Sequence, residues 1–366
     1  MCRTFDNVGG FDRESQLTSS RALVVALTTF AVGAAGSIAG AASPGCKLVK
    51  VEDWPVRVQH NHVLVEGAIN GQKVGVLLDT GASRTVIFRA AAVRLGVPLS
   101  GSTNDRLFGI GGETKVDLAL VDEFRVGQAA QKQLRILVAG EHDPGDDVGV
   151  LLGEDFFQRF DVEFDLAHNA VRLFQPQDCD RASLAYWERT GASEVGFESL
   201  DVNQPQVILT VRINGEPLKA LLDSGAGLSM LDKSDAERVG VTPDTPGVVV
   251  GLRGTGLGTN AVDVWIGPFL SFAIGDEMIR DTQIRFSDMY KDARYRTTGS
   301  NLAHKIQVSY SMLLGADFLR SHRVLIAHSQ RKVYFSYVGG PVFQLNRPAT
   351  PANDSWAGER PTTDGN

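Results

Sequence analysis

Two stretches of the chain carry the same hydrophobic pattern. Val63-Leu64-Val65 leads to Ile69-Asn70-Gly71, and Val207-Ile208-Leu209 leads to Ile213-Asn214-Gly215. Short apolar runs that end at Asn-Gly predict strands turning through tight hairpins, because such turns need positive φ at both central residues. Each returning run is continuously apolar and ends in an acid. The two copies read Leu77-Leu78-Asp79-Thr80-Gly81-Ala82-Ser83 and Leu221-Leu222-Asp223-Ser224-Gly225-Ala226-Gly227. This predicts a buried strand and a sharp turn that presents one carboxylate. A further apolar run follows each turn, Thr85-Val86-Ile87 or Ser229-Met230-Leu231, and then a short helix ending at Leu95-Gly96-Val97 or Val239-Gly240-Val241. The copies keep register without a gap, 144 residues apart. One supersecondary unit is therefore used twice.

Each copy continues into a glycine-rich stretch between apolar runs. These are Phe108-Gly109-Ile110-Gly111-Gly112 and Val250-Gly251-Leu252-Arg253-Gly254. Neither has the glycine spacing of a phosphate loop or of a dinucleotide-binding turn. Each copy then closes on a third match, Leu151-Leu152-Gly153-Glu154-Asp155-Phe156 against Leu313-Leu314-Gly315-Ala316-Asp317-Phe318, with apolar strands ending near Phe174 and Phe335. Asp155 and Asp317 precede short helical segments and read as N-caps. Residues 175–206 read as a structured linker. The polar, Arg-rich stretch from Asp292 to Ser309 has no counterpart in the first copy and reads as an inserted loop. From residue 339 to 366 the chain is rich in Pro, Thr, Asn and Gly and reads as a disordered tail.

The amino terminus has a different character. A polar stretch ending at Arg21 precedes an apolar one from Ala22 to Val32, with Ala39-Gly40-Ala41 as a small-x-small cleavage site. Residues 1–41 are therefore expected to be an export signal, placing the protein in the periplasm or outside the cell. An uncleaved membrane anchor is the alternative reading, since the stretch from Ala22 to Ala42 is nearly long enough to span. Signal removal takes Cys2 and leaves Cys46 and Cys179, an exported pair expected to form a disulfide.

Composition narrows the function. The chain has 366 residues, 43% of them hydrophobic, and a formal net charge of −7. That balance argues against a nucleic-acid partner, whose binders carry a basic face. The seven histidines are scattered and no Cys/His cluster has zinc spacing, so neither metal nor cofactor is expected.

Taken in order, the apolar-apolar-Asp-Thr/Ser-Gly-Ala turn, the glycine-rich stretch and the apolar-apolar-Gly-x-Asp-Phe match resemble the retropepsin-type aspartic proteases. The pattern appears twice, so the chain resembles a bacterial single-chain form with two retropepsin-type halves. The resemblance implies an all-β fold of two pseudo-twofold-related β-barrel lobes with short helices, over residues 42–174 and 207–338. It implies that Asp79 and Asp223 form a catalytic dyad that activates a water for peptide-bond hydrolysis. Thr80, Gly81, Ser224 and Gly225 would support that dyad. Gly109, Ile110 and Gly111 of one flap, and Gly251, Leu252 and Arg253 of the other, would hold a protein or peptide substrate. With both halves in one chain, a monomer is expected. A non-catalytic peptide-binding protein on the same fold is the alternative function. Pepsin-like enzymes usually carry Ser or Thr three residues after the acid, and this chain has Ala82 and Ala226. Without that hydroxyl the ionised dyad should be less favoured than in pepsin, which titrates near about 1.5 and 4.7.

Overall fold

The computed structural model describes residues 45–345, apart from 141, 146, 189–190, 200–203, 292–293, 297–302 and 306–307. Residues 1–44, which include the stretch expected to be an export signal, and the chain beyond residue 345 lie outside the described residues. Both repeated hairpins form as the pattern predicts. His62–Ile69 pairs with Gln72–Leu78 and Ile208–Ile213 with Glu216–Leu222. Their turns place Asn70 and Gly71 at φ 49 and 78, and Asn214 and Gly215 at φ 51 and 87. Those are the left-handed conformations that a two-residue hairpin of this type requires.

The acid-bearing strand lies deep because of what it pairs with. Leu77 and Leu78 sit beside Leu151 and Leu152 in parallel, and Leu221 and Leu222 beside Leu313 and Leu314. The strand after each turn, Val86–Phe88 or Met230–Asp232, returns antiparallel along the other side of the same Leu-Leu strand. Each acid turn therefore loops over the end of a Leu-Leu-Gly strand. A Cβ on Gly153 would stand 2.6 Å from the Arg84 carbonyl carbon, and one on Gly315 2.7 Å from the Ala226 oxygen. Only glycine lets the loop pass that close.

Two separate barrel lobes do not form. Strands from both halves belong to one continuous 20-stranded hydrogen-bonded sheet, with a two-stranded ribbon of Arg294–Arg296 and Ala303–Lys305 beside it. Asp161–Asp165 of the first half pairs antiparallel with His322–Ala327 of the second, and Ser193–Glu198 bridges Lys332–Tyr337 and Ile208–Ile213. The physical reason is edge satisfaction. Strands that would end a lobe expose unpaired N–H and C=O groups, and here Asp161–Asp165 finds its second partner in His322–Ala327. The pairing strands are also apolar on the buried face, with Val162, Phe164, Val324 and Ile326 fully buried. One hydrophobic core accordingly runs through both halves. Polar contacts follow the same seam. Arg323 donates to Glu163 at 2.7 Å, and His328 Nε2 lies 3.0 Å from the buried Glu154.

The chain after Gly339 turns back onto the body. Phe343 packs edge-on against Phe272 with ring centroids 4.9 Å apart, and the Gln344 N–H donates to Asp317. Among the described residues no helix is long and apolar enough to cross a membrane.

Cys46 and Cys179 are joined in a disulfide, their Cα atoms 4.5 Å apart. It fastens the start of Lys47–Gln59 to the exit of its partner strand Ala170–Gln177. The closed loop spans 133 residues. Replacing both cysteines by serine should lower unfolding free energy by up to about 4–5 kcal/mol on the chain-entropy account. Urea unfolding of the variant against the oxidised protein measures this; coincident midpoints would show that the strand pairing alone holds this junction.

Candidate active site

The two acid turns meet at the centre of the molecule through their hydroxyl residues. Thr80 Oγ1 donates to the Leu222 carbonyl at 2.7 Å and accepts from the Ser224 N–H at 3.0 Å. Ser224 Oγ donates to the Leu78 carbonyl at 2.8 Å and accepts from the Thr80 N–H at 3.0 Å. Four bonds thus tie each turn to the backbone of the other, and both hydroxyl residues are fully buried. Serine does in the second copy what threonine does in the first, since both carry one donor and lone pairs to accept.

This exchange brings the carboxyl groups of Asp79 and Asp223 close together, each against the glycine of the opposite turn. Each carboxyl is also held from its own turn. Asp79 Oδ1 accepts from the N–H groups of Gly81 and Ala82 at 3.0 and 2.9 Å, and Asp223 Oδ1 from those of Gly225 and Ala226 at 2.9 and 3.0 Å. Gly81 and Gly225 are required by the opposite acid. A Cβ on Gly81 would lie 2.3 Å from the Asp223 carboxyl carbon, and one on Gly225 2.2 Å from that of Asp79. Both aspartates keep an accessible edge, yet burial of their carboxyls is the main influence on titration. Burial and then the neighbouring Asp223 charge push Asp79 well above the usual carboxylate range. Burial also raises Asp223, opposed by the Ala226 N–H, the Asp79 side chain and the Gly225 N–H. Like charges this close disfavour double ionisation, so the titration belongs to the pair and not to either residue.

Asp155 and Asp317 do not cap helices. Glycine is the N-cap of both helices, and neither has a side-chain cap. Asp155 Oδ1 accepts from the N–H and hydroxyl of Thr85 at 3.0 and 2.7 Å, and Asp317 Oδ1 does the same for Ser229 at 2.9 and 2.6 Å. These acids sit inside the first helical turn, where they reach across to the strand leaving the acid turn and brace its base. Burial, opposed by those donors, pushes Asp317 up to about 6.

The glycine-rich stretches reach each other at their tips. Leu99–Gly109 and Gly112–Val126 form a hairpin with Ile110 and Gly111 at its tip. The second stretch is less regular. Gly251, Leu252 and Arg253 stand on its arm, where the Gly251 N–H donates to the Val264 carbonyl and Arg253 to that of Ala261. Its tip lies further on. The Gly258 N–H donates to the Ile110 carbonyl at 3.1 Å and the Asn260 N–H to that of Gly111 at 3.0 Å. Gly109, Ile110 and Gly111 therefore meet the opposite tip, and the three residues proposed for the second flap do not. Leu257, Gly258 and Asn260 escaped the sequence reading, although the alternating glycines at 254, 256 and 258 carry the signal.

An aspartyl protease family model matches residues 65–156 and 209–318, more than half of the chain. The chain belongs to the aspartyl protease family. Each matched segment holds one acid turn, one hairpin tip and one Leu-Leu-Gly strand. The solved aspartic proteinase from Irpex lacteus is similar at 12% identity, over 78% of this chain and 96% of that one, with a TM-score of 0.43. No curated protein matches.

Four further residues near the acid turns of this aspartyl protease family member went unread in the sequence. Burial holds the His62 imidazole below its ordinary value, opposed by the nearby backbone of Gly225. Gln206 Nε2 donates to the Gly81 carbonyl at 3.4 Å. The two stand at the same repeat offset, one residue before the strands that revealed the repeat. Tyr290 and Tyr310, near the two ends of the inserted segment, share a hydroxyl–hydroxyl bond of 2.7 Å. Tyr290 belongs to a buried cluster that Tyr310, Ala226 and Ile110 pack against, and burial pushes the Tyr310 hydroxyl up to about 12. Among the described residues no group of three or more His, Cys, Asp or Glu could hold a metal ion.

The raised dyad has a consequence for stability. Between the unfolded carboxyl value, about 3.9, and the raised folded value, the native chain holds a proton that the unfolded chain has released. Stability therefore falls as pH rises through that window, and the full penalty persists above it. Asp79→Asn removes one competing charge while its amide oxygen can still accept from Gly81 and Ala82. At pH 7 the variant should melt a few degrees above wild type, and the gain should vanish below about pH 4. Calorimetry across that range measures it; a variant that melts lower at pH 7 would mean the carboxyl pair carries no net repulsion.

Proposed function

We propose that this family member is an endopeptidase of the retropepsin type that hydrolyses peptide bonds on the Asp79–Asp223 pair. The observation that carries the reading is two neighbouring carboxyls, held by matched turns and both raised by burial, in a chain whose two glycine-rich tips hydrogen-bond to each other. The ionised carboxylate takes a proton from a bound water, and the water oxygen attacks the scissile carbonyl carbon. The protonated carboxyl hydrogen-bonds the carbonyl oxygen and transfers its proton as the tetrahedral diol forms. Collapse of the diol breaks the C–N bond. The leaving amine takes a proton from the carboxyl that first accepted one, and a diol hydroxyl returns its proton to the other. Atoms and protons balance with the pair back in its starting state. The substrate is an extended protein or peptide segment, and the tips must part to admit it, since they are hydrogen-bonded to each other. Both acids come from one chain, so the working form is a monomer. Exported action, in the periplasm or outside the cell, follows from the reading of residues 1–41.

Asp79→Asn and Asp223→Asn should each lower kcat/KM on a denatured-protein substrate by at least about 10²–10⁴-fold, with circular dichroism unchanged. A near-wild-type Asp223→Asn enzyme would remove the second half from the chemistry. The alanines after the dyad set a second expectation. The methyl groups of Ala82 and Ala226 cannot donate, so only backbone N–H groups favour the ionised form. Cleavage should peak in mild acid, roughly pH 4–6. Ala82→Ser combined with Ala226→Thr should move the optimum down by about one unit. A pH profile of kcat/KM on a short peptide decides; an optimum near pH 2 in the wild type would show that the alanines do not set the poise.

A further inference from the structure

Arg285 is 5% exposed and lies on the strand Glu277–Ser287, directly opposite Ile266. Side chains alternate across a strand. Ile284 and Phe286 enter the main core, and Trp265 stacks on Phe286 on that side. Arg285, Ile266 and Val264 therefore share the other face. The arm of the second glycine-rich stretch lies over it: a Cβ on Gly251 would stand 3.3 Å from Val264 and 3.5 Å from Ile266. Val264 belongs to the cluster that packs with Ala226 of the second acid turn and Ile110 of the opposing tip. Arg285 is thus buried beneath the flap arm, on the face of the sheet shared with Val264 and the cluster that Ala226 and Ile110 pack against.

Its hydrogen bonding is incomplete. Nη2 donates to the Leu252 carbonyl at 3.3 Å, while Nε and Nη1 are buried with no hydrogen-bond partner. Asp317 is the carboxyl whose charge favours the guanidinium, but its oxygens are taken by Ser229, Phe318 and Gln344. Buried charges are normally paired, and a guanidinium stays charged and favours carboxylates above other partners. The first half has Leu137 at the matching register, since Val138 sits beside Ile87 as Phe286 sits beside Leu231. The charge is therefore on one side of the dyad alone.

We propose that Arg285 forms the floor of a substrate subsite that takes the carboxylate side chain of a Glu or Asp residue, on one side of the scissile bond. This rests on the endopeptidase reading above. A free peptide carboxyl terminus presents the same oxygens, and the test separates the two sources.

The full chain is given peptides acetylated and amidated at their ends, matched in pairs with Glu or Gln at each position flanking the cleaved bond. The wild type should favour Glu over Gln by about 10–100-fold in kcat/KM at one position, on one side only. A third set, neutral inside with a free carboxyl terminus, should gain no such advantage; a gain confined to that set would replace the side chain by the terminus as occupant. Arg285→Met should bring the Glu-to-Gln ratio to about one or below, and Arg285→Lys should retain part of it. A wild type that cleaves both peptides equally overturns the proposal even if Arg285→Met fails to fold, as does a folded Arg285→Met that keeps the ratio. Fluorescence anisotropy of the same peptides on Asp79→Asn reads the subsite without turnover. Absence of cleavage with Glu-selective binding would sink the endopeptidase reading and leave the subsite standing.

Discussion

The hydroxyls of Thr80 and Ser224 each satisfy backbone groups of the opposite half, and the position of both acids depends on that exchange. Asp79 and Asp223 repel each other when ionised and lose hydration on burial, so nothing in the carboxyls themselves draws them together at neutral pH. Four buried hydrogen bonds between the turns fix the geometry instead. An unmade partner in such a site leaves buried polar groups unsatisfied, at about 1–3 kcal/mol each. The exchange therefore has few half-formed alternatives, and the two carboxyls are brought together as a consequence of packing.

Around this symmetric centre the two halves diverge in ways that only a single chain permits. A homodimer must repeat every residue on both sides of its axis. Here His62 stands opposite Gln206, Glu154 opposite Ala316, and Leu137 opposite Arg285. The Tyr290–Tyr310 contact has no counterpart across the axis, because it flanks a segment present in one half only. The centre stays balanced while its walls acquire different chemistry, the arrangement a directional substrate such as a peptide can use.

The continuous sheet serves the same end. Joining Asp161–Asp165 to His322–Ala327 turns the seam between the halves into backbone hydrogen bonds and shared apolar core. A hinge along that seam would have to break the ladder. The glycine-rich tips are not part of that ladder and meet each other through two backbone bonds, Gly258 to Ile110 and Asn260 to Gly111.

The sequence by itself determined the repeat, both Asn-Gly hairpins, the two acid turns, the glycines beneath them and the pairing of Cys46 with Cys179. The repeat and its turns rest on short-range rules of alternation, turn chemistry and steric approach, which neighbours in the chain carry on their own; the cysteine pair was legible by elimination. Tertiary structure decided the rest. Whether lobe edges close on themselves or on each other depends on which distant strands meet, and no local pattern at Val162 or Val324 encodes that choice. The second tip moved from Gly251–Arg253 to residues 257–260 because an irregular loop has no period to place it. Asp155 and Asp317 became braces because their partners lie 70 and 88 residues away. Arg285 gave no signal either: in the sequence it is one polar residue in a strand, and only the arm folded over it makes its charge buried and unpaired.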